Sequence, residues 1–202
     1  ELYDTNTDWS QAHDLAAEMP DKLEELKALF MEEARKYNVL PLDDRRVERF
    51  LPEIAGRPTL VTGPSQLLFG GMSRLSENVT MNVKNKSHSV TAQITVPVGG
   101  ADGVIISQGG SYAGWSLYLE GGRPTYCYNL FGVKQFHVRG DAPVPAGEHQ
   151  VRMEFAYDGG GLAKGGTVTL YTDGQKIGEG RVEKTLPFCF SADETFDIGM
   201  EA

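Results

Sequence analysis

The chain has 202 residues, 40% of them hydrophobic and 23% charged, enough apolar material for a sizeable core in one or two domains. Its 28 acidic and 19 basic residues leave a net charge of −9, a balance that repels phosphate backbones and argues against nucleic-acid binding. No run approaches the roughly 18 apolar residues of a membrane-spanning helix, and the first ten residues carry three acids and no base, unlike a secretory leader.

The first region, residues 1–57, holds 14 acids against 8 bases, a net of −6, and its pattern has helical period. Asp8 with Gln11, and Asp21 with Glu24, fit the spacing of a capping box, in which a side-chain oxygen satisfies the first free amides of a helix. Pro20 suits a helix start, because its missing amide has no partner to lose there. Leu23, Leu26, Phe30 and Tyr37 recur at intervals of three, four and seven, one apolar stripe on a helix of about five turns, with Glu24, Glu25, Glu32 and Glu33 pointing away. A lone amphipathic helix does not bury its own stripe, so this one is expected to lie against another surface.

Composition changes over residues 45–65, and the boundary is placed between a first domain at 1–57 and a second at 58–202. Residues 45–87 are the least legible stretch. Leu67-Leu68-Phe69-Gly70-Gly71-Met72 reads as an edge strand opening the second domain. Asn78-Val79-Thr80 and Asn85-Lys86-Ser87 match glycosylation sequons, which also arise by chance.

From about residue 88 the period becomes two. Val90, Ala92, Ile94 and Val96 alternate with polar residues, as do Trp115, Leu117 and Leu119, then Val151, Met153 and Phe155, then Val168 and Leu170. Each segment reads as a strand with one buried face. The separators are turn chemistry: Gly99-Gly100, Gly109-Gly110, Gly121-Gly122, Gly140-Asp141 and Asp173-Gly174. The last marks a tight hairpin over 170–178, because Asp-Gly accepts the positive φ angles of a primed turn. Many short strands with no helix between them predict a mainly β chain, an antiparallel sandwich preceded by a short helical segment. The pattern resembles concanavalin-like and laminin-G-like jelly rolls.

Several side chains invite a chemical reading. Cys127 and Cys189 make no disulfide framework; both sit in apolar patterns and read as buried thiols, with a single bridge open if their strands are neighbours. No second Cys or His stands at metal-ligand spacing. The glycine-rich Asp158–Thr167 segment is not a phosphate loop, since Lys164 precedes the final glycine pair and both flanks are strands. Asp193, Glu194 and Asp197 form the closest carboxylate cluster, but a Glu and an Asp three apart fall on opposite faces of a strand, which favours a turn or cation role over paired acid–base work. His13, His88, His137 and His149 read as isolated surface or satisfied residues. Tyr112, Trp115, Tyr118, Tyr126, Tyr128 and Phe131 fall within twenty residues. Trp115 shares parity with Leu117 and reads as core. Tyr118, Tyr126 and Tyr128 are the candidate ligand-contacting residues, on the other face, with ordinary sandwich packing as the alternative.

The opening Glu1-Leu2-Tyr3-Asp4-Thr5, the run Asp8-Trp9-Ser10-Gln11-Ala12-His13-Asp14-Leu15-Ala16, and Tyr37-Asn38-Val39-Leu40-Pro41-Leu42-Asp43-Asp44 resemble the C-terminal region of bacterial arylsulfatases, and the resemblance continues to Ser191–Gly199. It implies that residues 1–57 are the tail of a sulfatase core and 58–202 its accessory sandwich. It also implies that the formylglycine and the calcium of that family lie upstream of Glu1, where the chain reads as cut. Neither cysteine has the Pro and Arg of a Cys-x-Pro-x-Arg motif, so no catalytic residue carries over, and no metal site or cofactor is expected in this chain. The expected partners are the upstream catalytic domain, a carbohydrate or sulfated small molecule, and further copies in an oligomer. Two functions stand side by side: the C-terminal fragment of a sulfuric ester hydrolase, serving packing, substrate access or oligomerisation, and a free-standing carbohydrate-binding module. The compartment, periplasmic, secreted or cytoplasmic, is open.

Overall fold

Alternating side chains close the greater part of the chain into two stacked sheets. The computed structural model describes every residue except 47, 48, 50, 57–59, 192, 201 and 202, and describes only the backbone at 52 and 53. The chain divides into two compact units, Glu1–Arg45 and Arg46–Ala202. The boundary expected between residues 57 and 58 lies outside the described residues.

In the first unit, two aspartates close loops. Asp14 accepts hydrogen bonds from the amides of Leu2 and Ala16 at 2.8 and 2.9 Å, and Asp8 accepts from His13 N–H at 2.8 Å and Ser10 Oγ at 3.0 Å. Those backbone donors hold both carboxyls below their ordinary range. Asp8 therefore caps no helix. Helix α1 spans Pro20–Lys36 with Pro20 in its opening turn, and Met19 at its N-cap offers no side-chain acceptor. Because the helix begins at Pro20, Asp21 already lies inside the first turn and acts through its charge on the helix dipole, not as a cap. The charged face is laced by Lys22–Glu25, Lys27–Glu24 and Lys36–Glu33 pairs. On the apolar side Leu23 is half-buried and Ala34 is buried, but Leu26, Leu29, Phe30 and Tyr37 are exposed. The stripe is present in the helix and largely open to solvent.

Among its described residues the second unit carries nine strands: β1 (His88–Val96), β2 (Gly103–Gly109), β3 (Gly114–Glu120), β4 (Arg123–Leu130), β5 (Lys134–Arg139), β6 (Gly147–Tyr157), β7 (Gly166–Thr172), β8 (Gln175–Val182) and β9 (Phe196–Ile198). They form a four-stranded sheet, β1-β6-β7-β8, and a five-stranded sheet, β5-β4-β3-β2-β9, and every pairing is antiparallel. This is a mainly β chain, an antiparallel sandwich of two sheets preceded by a helical segment, as the alternation predicts. Asp173 and Gly174 both take positive φ, +49° and +80°, in the β7–β8 hairpin, and Gly121 and Gly122 do the same between β3 and β4.

Register decides what is core. Across the five-stranded sheet, Ile198, Ile106, Leu117, Tyr126 and Val138 stand in one row, and Phe196, Gln108, Trp115, Tyr128 and Phe136 in another. Both rows face inward, against Val151, Met153, Phe155, Val168 and Leu170 of the other sheet. Residues 67–72 are not a strand. Leu67 and Phe69 are exposed, and Gly70 and Gly71 turn the chain. Pairing starts at the end of that stretch: Gly71, Met72 and Leu75 exchange backbone hydrogen bonds of 2.9–3.2 Å with Phe196 and Ile198, covering the open edge of β9.

Candidate functional site

Between the two inward rows lies one outward row. Asp197, Ser107, Ser116, Cys127 and His137 are successive register partners across β9, β2, β3, β4 and β5. All but His137 line a groove of about 640 Å³, within the size range of small-molecule sites. The next row is Asn129 and Gln135 on one side and Thr195 on the other, with Gly109 and Gly114 paired between them. That glycine pair lowers the floor. A Cβ on Gly109, whose φ is +73°, falls 2.2 Å from Ala113 O, so the backbone itself excludes a side chain there.

The groove is polar and built to stay open. Ser107 is only 4% exposed and Asp197 3%, so both are buried at the bottom of the groove and held within the sheet rather than on mobile stems. Among the described residues, neither Ser107 nor Ser116 spends its hydroxyl on a protein hydrogen bond. Asp197 accepts from the Arg74 backbone N–H at 2.7 Å and from Thr195 Oγ1 at 3.0 Å. Glu194 Oε1 accepts from both the amide and the hydroxyl of Ser111, each at 2.9 Å, while its Oε2 is closed off without a partner. Asn129 ties the β2–β3 loop to the β4–β5 turn. Its Nδ2 donates to Gly110 O at 2.7 Å and Ser111 O at 3.0 Å, and its Oδ1 accepts from Gly132 N–H at 3.0 Å. Burial pushes the Cys127 thiol up, which keeps that part of the floor uncharged. Its Sγ lies 3.8 Å from His137 Nε2. Among the described residues, the lining carries Asp193, Glu194 and Asp197 with Arg74 as its one cation.

No protein-family model and no curated protein sequence matches the chain. Among solved structures, domains LG4-5 of the mouse laminin alpha1 chain are similar over 61% of this chain, at 19% identity and a TM-score of 0.41. This chain covers 29% of that structure's length.

The structure separates the three tyrosines named from the sequence. Tyr126 is 1% exposed and Tyr128 4%, both on the inward face with Trp115, whose direct partner across the strands is Tyr128. Tyr128 hides its polar tip by accepting the Leu186 amide at 2.7 Å, and burial raises the hydroxyl pKa of both rings. Tyr118 stands opposite Thr125 on the outward face, half-buried, with its pKa raised chiefly by burial. The outward face carries Tyr118 and not the other two. Both cysteines are free and half-buried: Cys127 on the outward face, Cys189 outside any strand.

The carboxylates and histidines also differ from expectation. Residues 193–195 precede β9 and are not extended strand, so the parity argument does not hold and Asp193, Glu194 and Asp197 share one groove. His149 Nδ1 pairs with Asp173 at 2.6 Å, and His88 packs between Trp115 and Phe155, its Nε2 without a partner and its pKa pushed down to about 4 by burial. Among the described residues, no group of three or more His, Cys, Asp or Glu side chains is placed to hold a metal ion.

Proposed function

We propose that the chain is a carbohydrate-binding β-sandwich module, with the ligand lying across the strands in the outer groove of the five-stranded sheet. One observation carries this reading: a register-aligned row of short polar side chains, in which the Ser107 and Ser116 hydroxyls are uncommitted among the described residues, over a floor kept low by Gly109 and Gly114. Hydroxyls, amides and carboxylates at fixed positions match the alternating donors and acceptors of sugar hydroxyls. The full 202-residue chain is expected to bind members of an oligosaccharide array, and Ser116→Arg, which fills the groove, is expected to lose that binding with an unchanged melting temperature. Equal binding by Ser116→Arg rules the groove out.

The exposed apolar side of α1 favours a second reading. In it, residues 1–57 are the tail of an arylsulfatase-like sulfuric ester hydrolase, Leu26, Leu29 and Phe30 dock onto its catalytic domain, and residues 58–202 serve packing, substrate access or oligomerisation. The resemblance of segments 1–5, 8–16 and 37–44 to that family supports the reading. Sulfated sugars then join the expected ligands, and the chain alone turns over no aryl sulfate. A continuous reading frame lacking Cys- or Ser-x-Pro-x-Arg ahead of Glu1 removes this reading.

A further inference from the structure

The groove runs out at Ser111 and Asn129, and there the structure presents two aromatic rings to solvent. Tyr112 is 57% exposed and Phe131 46%, and they meet edge to face with centroids 5.6 Å apart. Neither contributes to the core. Tyr112 sits in the β2–β3 loop and Phe131 in the β4–β5 turn, so the pair forms only because two connections from different hairpins touch. A Cβ on Gly132 falls 3.1 Å from Ser111 O, which measures how close those connections run.

The geometry is held at some cost. Phe131 has φ +56°, the left-handed region that a bulky aromatic rarely occupies, where Asn, Asp or Gly is the ordinary choice. Such strain persists only where the surroundings fix it. Here Asn129 grips Gly110, Ser111 and Gly132 together, and Glu194 holds Ser111 by two bonds from across the groove. The same two side chains that line the groove therefore position the rings at its end.

The charge along the lining chooses among sugars. Three carboxylates, Asp193, Glu194 and Asp197, stand against Arg74, and the unpartnered Glu194 Oε2 adds negative potential without a compensating donor. An anionic sugar meets repulsion there, whereas neutral hydroxyls meet acceptors.

We propose that Tyr112 and Phe131 form an aromatic subsite that stacks a pyranose ring of a neutral oligosaccharide whose remaining units lie along the groove, and that the groove discriminates against sulfated sugars. This deepens the carbohydrate-binding reading and rests on it.

The test measures affinity of the full chain for cello-, galacto- and manno-oligosaccharides, each beside a sulfated counterpart, with Tyr112→Ala, Phe131→Gly and Ser116→Arg. For the best neutral ligand, Tyr112→Ala and Phe131→Gly each weaken binding about tenfold. Phe131→Gly meanwhile holds or raises the melting temperature, because glycine accepts the left-handed backbone. The sulfated counterpart binds more weakly than the neutral one. Unchanged affinity in both ring variants, with loss in Ser116→Arg, overturns the subsite and leaves the groove standing. Unchanged affinity in all three variants, or no binding of any sugar, overturns both. Tighter binding of the sulfated sugar overturns the discrimination.

Discussion

The two outer faces of the sandwich are built from the same alternation and end in opposite states. On the four-stranded sheet the outward side chains are long and occupy one another. Tyr171 donates to Glu154 at 3.2 Å, Arg152 lies 4.3 Å over the Tyr171 ring and 3.4 Å from Glu154, Lys176 pairs with Glu179 at 2.7 Å, and Arg181 grips Asp158 at 2.7 and 2.9 Å. On the five-stranded sheet the corresponding positions carry Ser107, Ser116, Gly109, Gly114 and Cys127, too short to reach one another across strands. Side-chain length, not topology, closes one face and leaves the groove open on the other, where Glu120 and Arg139 pair at 3.2 Å only beyond the groove. A face whose long polar side chains are largely taken up by one another offers little to a ligand. One whose hydroxyls are free has donors and acceptors to give.

The largest effect expected from this contrast is between neighbours on one strand. Leu117→Ala removes a side chain with no solvent exposure and is expected to cost about 3 kcal/mol in denaturant unfolding. Ser116→Ala, one residue away on the open face, is expected to stay within about 0.5 kcal/mol. Similar losses at both positions mean the outward row is packed against something and is not a free surface.

Next comes pH. The folded pKa of His88 is depressed to about 4 from an ordinary 6.5, so between those values the unfolded chain binds more protons than the folded one. Stability contributed by the neutral ring is full above pH 6.5 and is lost as pH falls toward 4, on the order of 3 kcal/mol in all. His88→Gln is expected to flatten that part of the stability profile measured by urea unfolding. An unchanged slope assigns it to other groups. The smallest effect is on the closed face. Arg181→Ala breaks an exposed pair with Asp158 and is expected to leave the unfolding midpoint where it was. A clear drop there gives that face a structural role beyond solubility.

The sandwich was legible because β3, β6 and β7 alternate cleanly and Asp173-Gly174 marks its turn. The groove was not, for three physical reasons. In β2 a bulge between Val104 and Ile106 interrupts the alternation, so Ser107 carries no readable parity. β4 is covered on both sides over most of its length, so the faces of Tyr126 and Tyr128 depend on the register with β3, which no single strand reveals. The carboxylates 193–197 meet the groove through a bend before β9, where strand parity does not apply. Tyr112 and Phe131 stood within the aromatic cluster, and the turn signals Gly109-Gly110 and Gly132 beside them were the available sign that they lie on connections and not in the core.

Amide-shift mapping by NMR tests the central claim most directly. A labelled full-length chain titrated with the neutral oligosaccharide it binds best is expected to show its largest shifts at residues 107–116, 127–135 and 193–197, with residues 152–181 of the opposite face unmoved. Shifts concentrated on the four-stranded face, or spread over the chain without a focus, contradict the assignment of the groove as the binding surface.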